Sequence, residues 1–340
     1  MANRLTAINE LVDNARALVE HPKGILAADE SSPTLTKRFT ALGIESNEQS
    51  RRAWRETLVS TPGLPAFVSG AILYDETFNQ RTFTSDEAFP DYLARLGLLC
   101  GIKVDTGAKP LAGTDGELVT EGLDNLGPRL ERYYDKGARF AKWRAVLRIG
   151  VGQPSPVCIA SNAHALARYA RLCQEFGLVP IVEPEVLMEG THDLDTNIAV
   201  TRTVLTAVFE QLRSFDVTLT GMILKPSMVT PGDAGPAATP EEIAQATIAC
   251  YRDTVPASVA GIALLSGGQS DEAATTNLAA MHAMDPLPWP LTFSFGRALQ
   301  DTPLKVWASS GQDRELTQAS LMSRVVDTAA ALEPRDLVTL

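Results

Sequence analysis

Cysteine and histidine are both scarce, at four residues each among 340. Cys100, Cys158, Cys173 and Cys250 lie far apart and form no CxxC pair, so they read as small buried hydrophobes of a reducing compartment. His21, His164, His192 and His282 are equally dispersed, with no HxH or HExxH spacing, which argues against a zinc-type site. No apolar run reaches the ~18 residues that span a bilayer. Glu10, Asp13, Arg16 and Glu20 interrupt the opening stretch, which reads as neither a signal nor a transit peptide; a cytoplasmic location is the expectation. Positive charge is also short: 30 lysines and arginines face 41 aspartates and glutamates, a formal net charge of −11. That balance suits neither nucleic acid nor an anionic membrane surface, although a local basic pocket for a small anion stays compatible with it.

What is present is a hydrophobic content of 45% and enough length for a substantial core. The length fits two domains, or one large α/β barrel of ~250 residues with additions. Leu5, Ile8, Leu11, Val12, Ala15, Leu18 and Val19 recur at helical spacing and predict a leading helix within residues 1–20. Eight strand-like runs follow, over 24–28, 66–73, 98–104, 140–149, 178–182, 219–224, 259–265 and 291–295, with helical stretches between most of them. In one of those stretches Thr239, Pro240 and Glu242 form a capping box with proline at the first helical position. Alternation of this kind requires parallel strands joined by crossovers. A doubly wound sheet shares that alternation, but the count of eight and the lack of a GxGxxG after the first run favour a closed (β/α)8 TIM barrel. The expected organisation is one barrel domain over residues 1–340, with a C-terminal helical extension and tail from about 308.

Strands of a parallel barrel are nearly all apolar, so charges inside them call for a reason. Lys103 and Asp105, Lys142 and Arg144, and Glu183 and Glu185 are i, i+2 pairs, each facing one side of its strand. Asp29 ends the first run and Lys225 the sixth. Singly, each charge reads as a strand leaving into solvent. Five strands carrying them would crowd opposite charges at the C-terminal mouth, where barrel active sites lie and where pKa values are shifted. Lys225, before Pro226, is the natural nucleophile for carbonyl chemistry through a Schiff base, with Lys142 as a nearby cation. Ser266-Gly267-Gly268 before a helix opened by Ser270, and Gly296-Arg297 after the eighth run, offer N–H groups and a guanidinium to a phosphate. Ser31-Ser32-Pro33-Thr34 with Lys37 and Arg38 reads either as a second phosphate loop or as an N-cap with a solvated basic turn.

Together these segments resemble the class I (Schiff-base) fructose-bisphosphate aldolases. The matching stretches are Gly24–Ser31, Gly101–Asp105, Ala141–Arg144, Pro180–Glu185, Leu224–Pro226, Leu265–Ser270 and Gly296–Gln300, in the same order and with similar spacing. The resemblance implies reversible cleavage of fructose 1,6-bisphosphate to dihydroxyacetone phosphate and glyceraldehyde 3-phosphate, a lyase reaction of glycolysis and gluconeogenesis. It implies Lys225 as the imine lysine, Glu183 as the acid/base that removes water from the carbinolamine, and Asp29 as the base at the C4 hydroxyl. Lys142 is then the lysine that orients the substrate, with Glu185 as its partner carboxylate. Lys103 and Arg144 fall at the phosphate and hydroxyl end; Ser266, Gly267, Gly296 and Arg297 form one phosphate site, and Ser31, Thr34 and Arg38 the other.

The resemblance also implies a homotetramer and no metal or organic cofactor, since the imine is the electron sink. The rival readings are a Schiff-base aldolase for another sugar phosphate (sedoheptulose bisphosphate or a ketose monophosphate) and a non-catalytic barrel scaffold. Three features depart from the relatives: Pro33 where animal relatives carry glycine, Phe295 where many relatives carry tyrosine, and a chain end without the terminal tyrosine typical of the animal enzymes, Tyr251 being the last. The family's tail-assisted proton transfer is therefore not expected here.

Overall fold

A computed structural model describes residues 2–284 and 286–333; the final segment 334–340, which the tail expectation concerns, lies outside the described residues. The strands are β1 (Gly24–Ala28), β2 (Val68–Leu73), β3 (Leu99–Lys103), β4 (Gly107–Pro110), β5 (Leu118–Glu121), β6 (Ala138–Leu147), β7 (Val179–Val186), β8 (Ile223–Leu224), β9 (Gly261–Leu264) and β10 (Leu291–Phe295). Eight of them close into a barrel in the order β1-β10-β9-β8-β7-β6-β3-β2, and β4 and β5 form a separate two-stranded sheet. Every barrel pairing is parallel, the arrangement that helical crossovers impose.

Alternation along the strands divides the interior in two. Ile25, Ala27, Ile72, Phe140, Val179, Ile181, Ile223 and Ala263 form an inner cluster with Leu11, Ala15 and Leu18 of the leading helix Ala2–Leu18 and with Val19. That helix therefore closes the N-terminal end of the barrel. Phe140 fits only because its neighbours lack side chains: a Cβ on Gly101 would lie 2.2 Å from its ring, and one on Gly70 3.0 Å. The other faces pack on the surrounding helices. After β10 the helix Arg297–Ser309 sets Trp307 against Trp54 and Phe39, with ring centroids 5.4 and 5.5 Å away. The helix Arg314–Ala330 then returns to the helix Glu48–Val59, where Gln318 donates to the Thr57 carbonyl at 3.1 Å.

The strand bounds differ from the expected ones where polar or turn-forming residues intervene. The run 219–224 yields only Ile223–Leu224, because Leu219–Gly221 winds into a 3-10 turn. The run from 66 starts its strand at Val68, since Leu64–Ala66 is another such turn. Conversely, β7 continues past Val182 through Glu183, Pro184 and Glu185 to Val186. Pro184 has no N–H to give, and it sits where β7 has already parted from β8, whose partners are Ile181 and Val182. The β4–β5 hairpin was not foreseen. Buried Asn162 stitches it to the helix Pro156–Glu175 by accepting from the Thr120 N–H at 3.2 Å and donating to the Leu118 carbonyl at 2.9 Å. The Thr239–Pro240–Glu242 cap is present as read: each side chain accepts from the other's backbone N–H.

The glycine floor generates a test. Gly101→Ala should lower stability by about 1–3 kcal/mol through overpacking against Phe140. Phe140→Leu should cost less in that background than in the wild type, by double-mutant cycle in urea. Additive effects would mean that Gly101 does not make room for Phe140.

Candidate active site

The C-terminal ends of the strands open into a cavity of about 1150 Å³. Asp29, Ser31, Thr34, Arg38, Lys103, Lys142, Arg144, Glu183, Glu185, Lys225, Ser266, Gly267, Gly296 and Arg297 all line it, so the barrel brings every expected site residue to one cleft.

Its centre is a line of alternating charges. Lys142 Nζ lies 2.7 Å from Asp29 Oδ2 and 3.2 Å from Glu183 Oε2; the other oxygen of Glu183 lies 3.4 Å from Lys225 Nζ. None of the four is more than 7% exposed. Burial by itself would raise the Asp29 carboxyl, but Lys142, Lys225 and Lys103 outweigh it and bring it down to about 2. Burial likewise opposes Glu183 ionising, and Lys142, Lys225 and Arg144 overcome it, so its carboxyl is held below the usual range despite Asp29. For Lys142 burial works against the ammonium, and Asp29, Glu183 and Asp105 more than restore it. Asp29 and Glu183 are thus carboxylates and Lys142 is a fixed cation.

Glu185 does not partner Lys142. It accepts from Arg144 Nε, while Lys142 takes Asp29 and Glu183. The β6–β7 register puts Lys142 beside Ile181 and Arg144 beside Glu183, so each cation reaches the carboxylate two residues further along β7. The same stagger produces both pairs. Lys103 donates to its own i+2 neighbour, to the Asp105 carboxylate and, at 2.9 Å, to its carbonyl.

At one end of the cleft, Ser266 is followed by Gly267 and Gly268 at φ +52° and +89°, conformations that glycine adopts without strain. Ser270 caps the helix Asp271–His282, and Gly296 precedes Arg297 at the head of the helix Arg297–Ser309. Of these, Ser266, Gly267, Gly296 and Arg297 line the cleft together, a grouping of N–H donors and a guanidinium that suits an anion. Phe295 is fully buried, with Phe293 5.5 Å away, on the face of β10 opposite Ser294. At the other end Ser31 is the N-cap of the helix Ser32–Ala41, and Pro33 falls in its first turn, where a missing N–H is harmless. Arg38 lies in the cleft but is bound to Glu30 and to Asp301.

Ser294 was missed by sequence reasoning; it lines the cavity at 1% exposure, and its hydroxyl has no hydrogen-bond partner among the described residues. Its only signal was a hydroxyl, one of two with Thr292, in a short run otherwise apolar. Arg55 was missed as well. It is 1% exposed and donates to the carbonyls of Ala28 and Glu30 on either side of Asp29.

Among the described residues no helix is long and apolar enough to cross a membrane. A family model described as fructose-bisphosphate aldolase class-I matches residues 10–335. The chain is 54% identical over 303 residues to a probable fructose-bisphosphate aldolase class 1 of Xylella fastidiosa, covering 89% of this chain and 90% of that one. It is 52% identical over 317 residues to fructose-bisphosphate aldolase 5, cytosolic, of Arabidopsis thaliana, covering 93% and 88% respectively. A solved fructose-bisphosphate aldolase from Plasmodium falciparum, in complex with TRAP and a small-molecule inhibitor, superposes with a TM-score of 0.94 at 42% identity, over 96% of this chain and 95% of that one. With the match running through nearly all of its length, the chain belongs to the class I fructose-bisphosphate aldolase family.

Proposed function

We propose that this chain cleaves fructose 1,6-bisphosphate reversibly to dihydroxyacetone phosphate and glyceraldehyde 3-phosphate, with Lys225 as the Schiff-base lysine. The observation that carries the assignment is the Glu183 carboxylate, buried between Lys225 and Lys142 at 3.4 and 3.2 Å. Lys225 gives a proton to Glu183, and the neutral amine adds to the C2 carbonyl to form the carbinolamine. Glu183 returns the proton to the C2 oxygen, which leaves as water and generates the iminium. Asp29, a carboxylate held low by three lysines, takes the C4 hydroxyl proton as the C3–C4 bond breaks. The bonding pair flows into the iminium to give an enamine, and the aldehyde departs. The enamine then takes a proton at C3, and water hydrolyses the imine.

Lys142 keeps its charge throughout and holds Asp29 toward the sugar. Glu185 serves by fixing Arg144, and Lys103 and Arg144 face the substrate's hydroxyls. Ser266, Gly267, Gly296 and Arg297 hold the C1 phosphate; Ser31, Thr34 and Arg38 hold the distal one. No metal or organic cofactor enters the scheme. We read the chain as one barrel unit over its length, assembling as a homotetramer by family likeness. A cytoplasmic place follows from the relatives named cytosolic.

Two outcomes test this reading. Borohydride reduction in the presence of fructose 1,6-bisphosphate should leave an adduct on Lys225, and Lys225→Ala should lose at least ~10³-fold in turnover. A reduced adduct on Lys142 or Lys103 by mass spectrometry would reassign the nucleophile.

The second outcome concerns acid. With Asp29 lowered from 3.8 to about 2 by the fold, its ionised form contributes stability fully above about pH 4, and the contribution is lost as pH falls through about 2. The stability difference between the wild type and Asp29→Asn should therefore shrink by about 2 kcal/mol between pH 5 and pH 2. A difference that stays constant over that range, measured by urea unfolding, contradicts the assignment of charge.

A further inference from the structure

Arg38 enters the cleft with two carboxylates already attached. Its Nη1 donates to Glu30 Oε1, and its Nη2 donates to Asp301 Oδ1 at 2.7 Å. Glu30 is shared, because its second oxygen accepts from buried Arg55 at 2.7 Å. Two guanidiniums and two carboxylates thus form one group with no net charge. Asp301 stands one helical turn after Arg297, on the helix that also carries the C1-phosphate contacts. Its neighbour Gln300, 0% exposed, donates to the Ala27 carbonyl at 2.7 Å and so pins that helix against β1. The reach from Asp301 to Arg38 is therefore set by the packing of the helix.

We propose that Asp301 is a specificity-determining residue: by pairing with Arg38 it offsets the cation that meets the distal phosphate, and so restrains the preference for a ketose with two phosphates over one phosphorylated at C1 alone. The inference rests on the reading above, in which the distal phosphate lies against Ser31, Thr34 and Arg38. Glu30 cannot neutralise both arginines. With Asp301 uncharged, Arg38 and Arg55 share a single carboxylate, and the distal end of the cleft carries one more positive charge. The Asp301 side chain is 43% exposed, so water and salt screen the pair and the effect is modest, about fivefold.

The experiment measures kcat and KM for fructose 1,6-bisphosphate and for fructose 1-phosphate in the wild type, Asp301→Asn, Asp301→Glu, Arg38→Ala and the Asp301→Asn/Arg38→Ala double variant. Asp301→Asn should lower the bisphosphate KM about fivefold at low salt and less at high salt. Its kcat and its KM for the monophosphate should stay near wild type. Asp301→Glu should keep the wild-type ratio of the two KM values, and removing Arg38 should abolish the effect of Asp301→Asn. A bisphosphate KM that is unchanged or raised in an active Asp301→Asn enzyme overturns the inference while leaving the reaction intact; a rise would mean that Asp301 aims Arg38 at the phosphate. If Arg38→Ala leaves the KM ratio at its wild-type value, the distal phosphate lies elsewhere and the reading beneath the inference fails first. The absence of any borohydride adduct on the wild-type enzyme would separate that broader failure from both.

Discussion

Four buried charges of alternating sign hold the mouth of the barrel: Asp29, Lys142, Glu183 and Lys225. A lone ion at that depth would be costly to keep dry, whereas each of these has an opposite partner within 3.4 Å. Lys142 and Glu183 lie within β6 and β7, Lys225 just after β8 and Asp29 just after β1; β6, β7 and β8 are neighbours in the sheet, and closure of the barrel brings the end of β1 across to them. Charge balance and topology therefore depend on each other. Deleting one member leaves the buried charges unbalanced, so the residues proposed for the chemistry are also residues whose loss the fold feels.

A second layer aims the first. Arg55 grips the backbone on both sides of Asp29, and the amide of Gln300 holds Ala27 two residues earlier. The end of β1 is thus fixed from the outside by groups that do not line the cleft. On β6 and β7 the work is done by stagger. One offset between neighbouring strands sets Lys142 against Glu183 and Arg144 against Glu185.

Much of this was legible in the chain, and the exceptions have identifiable causes. β10 keeps its expected bounds because Pro290 and Gly296 punctuate a short apolar run. β7 outruns its apolar signal because Glu183, Pro184 and Glu185 carry no hydrophobic pattern, and only the i, i+2 spacing of the two carboxylates marks them as strand residues. β8 falls short because Leu219 and Gly221 are apolar enough to read as strand yet wind into a turn. The hairpin escaped notice because Gly107–Pro110 is exposed over most of its length and carries neither alternation nor an apolar run. Residue types at the mouth could be read as a set of charges, but their pairing could not. The stagger of neighbouring strands and a partner 263 positions away, as Asp301 is from Arg38, are properties of the closed barrel rather than of any local segment.

The leading helix has a consequence of its own. By packing Leu11, Ala15 and Leu18 beneath an interior that strand side chains already fill, it leaves the cleft at the C-terminal ends as the open side of the barrel. Whatever enters, leaves or hydrolyses there must use the upper rim. On the mechanism proposed above, the three-carbon fragment stays tethered to the buried Lys225, and only its companion aldehyde is free to leave. On that reading the tether and the one open side together set the order of departure: the free aldehyde clears the rim first, and the tethered fragment waits for a new aldehyde or water.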